Sequence, residues 1–284
     1  MKIFRSSAEM TAWSNQQAPT HSIGLVPTMG SLHQGHLSLI RMAKAKADRV
    51  VTSIFVNPLQ FGPNEDFDRY PRIFEQDAAK AQEEGVDAIF APTVEDLYPE
   101  GFQTAVIVRN LPKVLCGKAR PGHFNGVTTV VAKLFHIVKA NLAVFGAKDF
   151  QQLAVIRRMV VDLSMDITIL SHPIVREADG LAMSSRNIFL SKTERQSALR
   201  LNQVLGLCRS WVAEGTISCA ELLAKTKEYL IEDKSIKMDY IEIINQLTLQ
   251  PQEEADSTSV LAMAVKIGKT RLIDNGYLFD GEHE

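Results

Sequence analysis

The chain predicts an α/β fold: a parallel sheet covered by helices on both faces over residues 1–176, then a smaller α+β domain over 177–284. Two patterns carry the prediction. Through about the first 175 residues, short continuous apolar runs rich in Val and Ile alternate with helix-period segments. Strands buried on both faces and joined by crossover helices read this way. After residue 176 the pattern changes to two long helical segments and then three strand-like runs, as helices packed on antiparallel strands do. Size agrees, since 284 residues with 45% hydrophobic content can bury a sizeable core.

The elements follow in order. Strands are predicted at 22–27 (SIGLVP), 49–56 (RVVTSIFV), 86–92 (VDAIFAP), 141–146 (NLAVFG) and 166–175 (DITILSHPIV). A helix follows the first strand at LSLIRMAKAKA. In GVTTVVAKLFHIVKA, Val127, Val130, Val131, Leu134, Phe135 and Val138 recur at helical spacing and form one apolar face. Residues 148–163 behave similarly. Ser191 and Glu194 form a capping-box signature for a helix running to about 214, and a second helix covers roughly 218–232. The last strands are KMDYIEIIN, VLAMAVKIG and TRLIDN. No internal repeat or linker-like segment marks the boundary near 176–190.

A net charge of −2, with both signs mixed along the chain, argues against a nucleic-acid or membrane-surface protein. It leaves room for a local cationic pocket. Three cysteines, Cys116, Cys208 and Cys219, form no Cys-x-x-Cys pair and suit reduced thiols. The first residues lack the apolar core of a signal peptide, and no apolar run is long enough to span a bilayer. A cytoplasmic protein is expected.

The stretch LVPTMGSLHQGH, 25–36, sets a glycine turn and two histidines, His33 and His36, between a strand and a helix. In open parallel sheets, ligands bind beyond the carboxyl ends of the strands, in loops leading into helices. Gly30 and Gly35 allow a tight turn and close approach of backbone to ligand. A helix beginning near His36 aims free amides and its positive dipole end at an anion. The two imidazoles add directed donors for phosphate oxygens. The stretch is therefore a candidate phosphate site, for a nucleotide. A metal pair remains an alternative, although helical ligand pairs usually sit at i, i+4 with a third ligand nearby. So does a solvated turn without a role.

A second locus, FGAKDFQQL (145–153), sits where the fourth predicted strand meets a helix. Gly146 supplies the turn, Lys148 and Asp149 fall at the cap, and Gln152 lies one turn inside. Lys148 there can reach a phosphate; an exposed Lys with an Asp N-cap is the plain alternative. A third, GLAMSSRN (180–187), offers two hydroxyls and an arginine at the domain break, either a phosphate clamp or a Ser-rich loop. The stretch 53–61 ends a strand with Asn57, Pro58 and Gln60, and Gln60 can offer an amide to hydroxyls or a carboxylate. Arg69, Arg72, Arg120 and His123 are further polar loop residues, which surface turns also explain.

Together these loci resemble one family, pantothenate synthetase, also called pantoate–β-alanine ligase. The matching stretches are VPTMGSLHQGH, SIFVNPLQFGPNEDFDRYPR, RPGHFNGVTTVVAKLF, FGAKDFQQL, DGLAMSSRN and GKTRLIDN. They stand in the family's order from about residue 23 to 275. Departures are small: Cys116, Lys118 and Ala119 stand where many relatives read Glu-Gly-Ala-Ser before the arginine, and Ala147 stands where a Glu is common.

The resemblance implies a Rossmann-like doubly wound sheet of the nucleotidylyltransferase type, in a homodimer. It implies ATP- and Mg²⁺-dependent condensation of pantoate with β-alanine to pantothenate, AMP and pyrophosphate, through pantoyl adenylate. By the same likeness, ATP is bound by Met29, Gly30, Ser31, Leu32, His33, Gln34, Gly35 and His36, by Gly146, Ala147, Lys148 and Asp149, and by Val175, Met183, Ser184, Ser185 and Arg186. Gln60, Gln152 and Met29 hold pantoate, and Gln60 also lies near the β-alanine amine. Residues 127–131 add an apolar wall. The catalytic set is His36 foremost, with His33, Lys148 and Arg186. Mg²⁺ is carried by the ATP phosphates, with no protein metal site. The 183–186 loop is expected to act as a lid or clamp. Three rivals stay open: an adenylyltransferase acting on a phosphorylated acceptor, a non-enzymatic nucleotide binder, and a metal-dependent hydrolase using His33 and His36.

Overall fold

The structure of the protein, a computed structural model, describes residues 1–63 and 65–279. Asn64, inside the motif stretch 53–72, lies outside the described residues, as do 280–284 at the end of the second predicted domain. The chain divides into two compact units. The first is Met1–Asn110 with Arg120–Pro173; the second is Leu111–Ala119 with the described residues from Ile174 on.

Elements of the first unit, in chain order, are β1 (Lys2–Phe4), α1 (Ser7–Gln17), β2 (Ile23–Thr28), α2 (Gln34–Lys44), β3 (Arg49–Ile54), α3 (Phe74–Glu83), β4 (Ala88–Phe90) and α4 (Val94–Leu97). The short α5 (Leu115–Ala119) belongs to the second unit. Then come α6 (His123–Val138), β5 (Leu142–Gly146), α7 (Phe150–Asp162) and β6 (Thr168–His172). The six strands form one parallel sheet in the order β1-β4-β3-β2-β5-β6. From β2 the chain winds outward through β3 to β4, and then restarts with β5 on the other side of β2. The reversal therefore lies between β2 and β5, paired at Gly24↔Leu142 and Leu25↔Ala143.

Predicted strands reappear with shorter ends where chemistry stops the pairing. The run 166–175 pairs only to His172, because Pro173 has no N–H to continue the ladder. The edge strand β1 has three residues, too few to show a period, and sits on β4 from Lys2↔Ala88 to Phe4↔Phe90. One face of the sheet buries Val26, Leu32, Leu37, Ile40, Val50, Ala81, Ile89 and Val144 together. Leu32 matters here because it belongs to the loop after β2 and is 2% exposed. The predicted face of α6 is buried throughout, from Val127 to Val138.

In the second unit, α8 (Lys192–Ala213) and α9 (Cys219–Ile231) pack on an antiparallel sheet of β7 (Ile236–Asn245), β8 (Ser259–Ile267) and β9 (Thr270–Tyr277). Leu201, Leu205, Leu222, Ile243, Leu261, Met263 and Leu272 meet in its core. The capping box at Ser191 is formed: Glu194 N donates to Ser191 Oγ at 3.2 Å, and Ser191 N donates to Glu194 Oε2 at 2.8 Å. The segment 111–119 joins this unit through buried Leu115 and the packing of α5 on β7, which no composition change in the sequence marks. Among the described residues, no helix is long and apolar enough to cross a membrane.

Candidate active site

The loop after β2 turns through two left-handed residues, Gly30 at φ +83° and Ser31 at φ +52°. A side chain at Gly30 would be strained by this φ and would put its Cβ 3.0 Å from Asp77 Oδ2 and 3.2 Å from Ile54 Cγ2. Both side chains would have to yield to such tight contacts, so the position favours glycine. The Ser31 conformation is uncommon for a non-glycine residue and needs support. Asp77 of α3 provides it: its carboxylate, 1% exposed, accepts from Ser31 N at 2.7 Å and Leu32 N at 2.6 Å. One turn further along α3, Lys80 Nζ donates to Leu32 O at 2.7 Å. Gly30 N donates to Thr28 Oγ1, which donates to Ser53 O on the neighbouring strand. Neither Asp77 nor Lys80 stands out in the sequence. Their i, i+3 spacing is visible there, but nothing in sequence distinguishes a buried aspartate from a solvated one.

The helix expected to begin near His36 begins at Gln34, with His33 as its N-cap. The correction has a chemical cause. His33 Nδ1 accepts from Gly35 N at 3.1 Å, and His33 N donates to His36 Nδ1 at 3.3 Å, a capping box built from two imidazoles. A ring nitrogen that accepts carries no proton, so each neutral ring keeps its hydrogen on Nε2. The ring centroids lie 4.0 Å apart. Burial pushes the His36 imidazole well below its ordinary pKa, and the ammonium groups of Lys148 and Lys80, as any added proton on His33 would, push it the same way. His36 is therefore a neutral Nε2–H donor at a helix N-terminus with cationic neighbours.

Lys148 stands at the carboxyl end of β5, beside the reversal point, in a 3-10 turn over Ala147–Asp149 that leads into α7. Asp149 is the N-cap residue of α7 but makes no side-chain capping bond. Gln152 lies in the first turn of α7 and is partly buried.

Beyond β3, a 3-10 turn over Pro58–Gln60 is capped by Asn57, which is 1% exposed. Asn57 Nδ2 donates to Gly126 O at 3.1 Å and to Gln60 Oε1 at 3.0 Å, and Asn57 Oδ1 accepts from Leu59 N at 3.3 Å. Gln60 Nε2 then points to Met29 Sδ at 3.2 Å. The Gln60 carbonyl is held as well. Arg120 donates to it at 3.2 Å and to His123 Nε2 at 3.0 Å, so His123 carries its proton on Nδ1 and donates that to Gln60 O at 2.8 Å. Arg120 also pairs with Glu65. Burial alone would raise the Glu65 carboxyl, but the Arg120 hydrogen bond and charge hold it below its ordinary value. Arg120 and His123 thus position Gln60, whereas Arg72 donates to the carbonyls of Phe67 and Tyr70 and braces its own loop. Arg69 is exposed.

In the second unit, residues 175–183 fold back on themselves, with Glu177 N donating to Leu181 O and Met183 N to Val175 O. Ser184 caps a 3-10 turn over Ser185–Phe189, its Oγ accepting from Arg186 N at 3.2 Å. Arg176 makes a two-pronged bond to Asp274, at 2.7 and 2.9 Å. That bond explains the GKTRLIDN motif, whose aspartate ties this loop to β9.

A parallel sheet with a reversal point, flanked by a histidine-capped helix start and a lysine turn, defines an α/β protein whose strand-end loops are of the kind that suits a phosphate-bearing ligand. Comparison with known proteins agrees. Residues 2–277 match the model of the pantoate-beta-alanine ligase family. The chain is 54% identical over 276 residues to the pantothenate synthetase of Geobacter sulfurreducens, covering 97% of this chain and 98% of the relative. The crystal structure of pantothenate synthetase from Thermus thermophilus superposes with a TM-score of 0.94 at 45% identity, covering 99% and 100% of the two chains. That of pantoate-beta-alanine ligase from Francisella tularensis, complexed with beta-gamma ATP and beta-alanine, superposes with a TM-score of 0.81 at 34% identity, covering 99% of each. The chain belongs to the pantoate–β-alanine ligase family: it is a ligase, and its reaction is the ATP-dependent ligation of pantoate and β-alanine.

Proposed function

We propose that the ligation runs at the carboxyl end of the first unit's sheet in two displacements. The pantoate carboxylate attacks the α-phosphorus of ATP, and pyrophosphate leaves. The β-alanine amine then attacks the acyl carbon of pantoyl adenylate, loses a proton, and AMP leaves as pantothenate forms. The observation that carries this reading is the locked pair of neutral imidazoles at the start of α2. Two Nε2–H donors and the α2 amides meet phosphate oxygens without the added repulsion that imidazolium rings would bring to Lys80 and Lys148. Displacement at phosphorus needs positioning and charge stabilisation more than covalent help. His36, His33 and Lys148 take that work, and His36→Ala should lower kcat by about 100- to 1000-fold.

Gln60, Gln152 and Met29 are assigned to pantoate and Gln60 also to β-alanine. An amide suits a hydroxy acid, whose polar groups would be costly to leave unpaired. Gln34, Ala147 and Asp149 of the first unit, and Val175, Met183, Ser184, Ser185 and Arg186 of the second, are assigned to ATP by family likeness. The Francisella relative, complexed with beta-gamma ATP and beta-alanine, supports two of the three ligands. Among the described residues, no group of three or more His, Cys, Asp or Glu is placed to hold a metal ion, and the imidazole and lysine donors suit phosphates that bring Mg²⁺ with them. When bound, Mg²⁺ supplies charge neutralisation on the phosphate oxygens. A homodimer and a cytoplasmic location complete the reading, the latter supported by three cysteines that stand outside any disulfide.

The test is AMP release from ATP and Mg²⁺ with pantoate and β-alanine added singly and together. Release that needs both, and that collapses in His36→Ala, supports the reading. Release with neither acid nor amine present overturns it.

A further inference from the structure

Asn57 lies between two backbone groups that leave its amide only one orientation. Leu59 N–H can only donate and Gly126 C=O can only accept, so Oδ1 faces the first and Nδ2 the second. That orientation passes to Gln60, whose Oε1 must accept from Asn57 Nδ2, leaving the Gln60 amide to present N–H. The amide points to Met29 Sδ, a weak acceptor that a substrate oxygen readily replaces. A third group closes the chain: Tyr98 Oη stands 2.8 Å from Asn57 Oδ1 and, since that oxygen can only accept, must donate. Burial raises the Tyr98 phenol far above its ordinary pKa, which keeps that proton in place. Phe55 and Phe102 flank its ring, with centroids at 6.2 and 5.0 Å.

We infer that Tyr98 is a positioning residue for pantoate: through Asn57 it holds the Gln60 amide with its N–H groups toward the substrate's oxygens. This rests on the assignment of Gln60 to pantoate. Tyr98 touches no substrate. Its hydroxyl supplies the short bond to Asn57 Oδ1, whose other contact, from Leu59 N, is 3.3 Å long. Without it Asn57 Oδ1 keeps only the longer bond from Leu59 N, the Asn57 amide loosens, and Gln60 is held less firmly in the same orientation.

The experiment measures steady-state KM for pantoate and for ATP, and kcat, in Tyr98→Phe, Gln60→Ala and the double variant. Tyr98→Phe should raise KM for pantoate about five- to tenfold, as loss of one hydrogen bond does, with KM for ATP unchanged. In the Gln60→Ala background the same substitution should add nothing, because the relay no longer has an end. An unchanged pantoate KM, an equal rise for ATP, or full additivity with Gln60→Ala overturns the inference. A Gln60→Ala enzyme with native pantoate KM overturns the Gln60 assignment itself, whatever Tyr98→Phe does. Should Tyr98→Phe fail to fold, Asn57→Asp carries the test, since a carboxylate cannot donate to Gln60 Oε1. It must raise pantoate KM alone, and an unchanged value again overturns the relay.

Discussion

At the scale of single residues, the active loop depends on groups that accept backbone N–H. Asp77 takes two of them while supporting the left-handed Ser31. Asn in its place would turn an NH₂ group toward one of these donors. Asp77→Asn should therefore cost about 1–3 kcal/mol of stability, read from urea unfolding midpoints. His36 gives a pH dependence with a defined sign. In the unfolded chain it takes a proton at pH ~6.5, and in the folded protein only well below that. The unfolded state binds the proton first, so the contribution is complete above about pH 6.5 and is lost as pH falls below it, toward the lower folded pKa. Unfolding free energy should decline on that acidic side, less steeply in His36→Gln. The acid limb of kcat/KM should break below the ordinary histidine pKa. A limb centred at or above it would show that Nδ1 titrates freely and that the imidazole cap does not hold.

At the scale of elements, the close approach of α6 to the 58–60 turn sets where Gln60 stands. A Cβ on Gly126 would fall 2.2 Å from Leu59 O and 2.6 Å from Gln60 N, against backbone that cannot rotate aside. Gly126→Ala should therefore force the two apart, costing about 1–3 kcal/mol as overpacking does. Pantoate kcat/KM should fall by about 100-fold, the usual effect of an ångström of misplacement. Thermal melting and steady-state kinetics check both. The apolar face of α6 was legible at Val127, Val130, Val131, Leu134, Phe135 and Val138, because helical period shows in any amphipathic run. Gly126 was not, since a glycine near a helix start looks the same whether or not another backbone lies against it.

At the scale of the whole molecule, each unit has its own core and its own fastening. In the second unit the Arg176–Asp274 pair, with Asp274 2% exposed, joins the 175–183 loop to β9. Asp274→Asn leaves a half-buried cation without its counter-charge and with one acceptor fewer, and should cost about 1–3 kcal/mol. Hydrogen exchange should quicken over residues 175–187 while β2, β3 and β5 keep their protection.

Sequence alone determined the α/β class, five of the six parallel strands, both long helices of the second unit and the strand-end loci that carry His33, His36, Gln60 and Lys148. Those features are written in local period, turn chemistry and motif order. Tertiary structure decided the rest. Edge strand β1 is too short for a period and exists because β4 offers it a partner. The segment 111–119 leaves one unit for the other because Leu115 finds its burial there. The polarity of Asn57 and Gln60, the carboxylate under Ser31 and the neutrality of His36 come from groups distant in the chain. Asn57 meets Gly126 across 69 residues, and Ser31 meets Asp77 across 46. Hydrogen-bond direction and burial are properties of what surrounds a side chain, and only the folded chain supplies those surroundings.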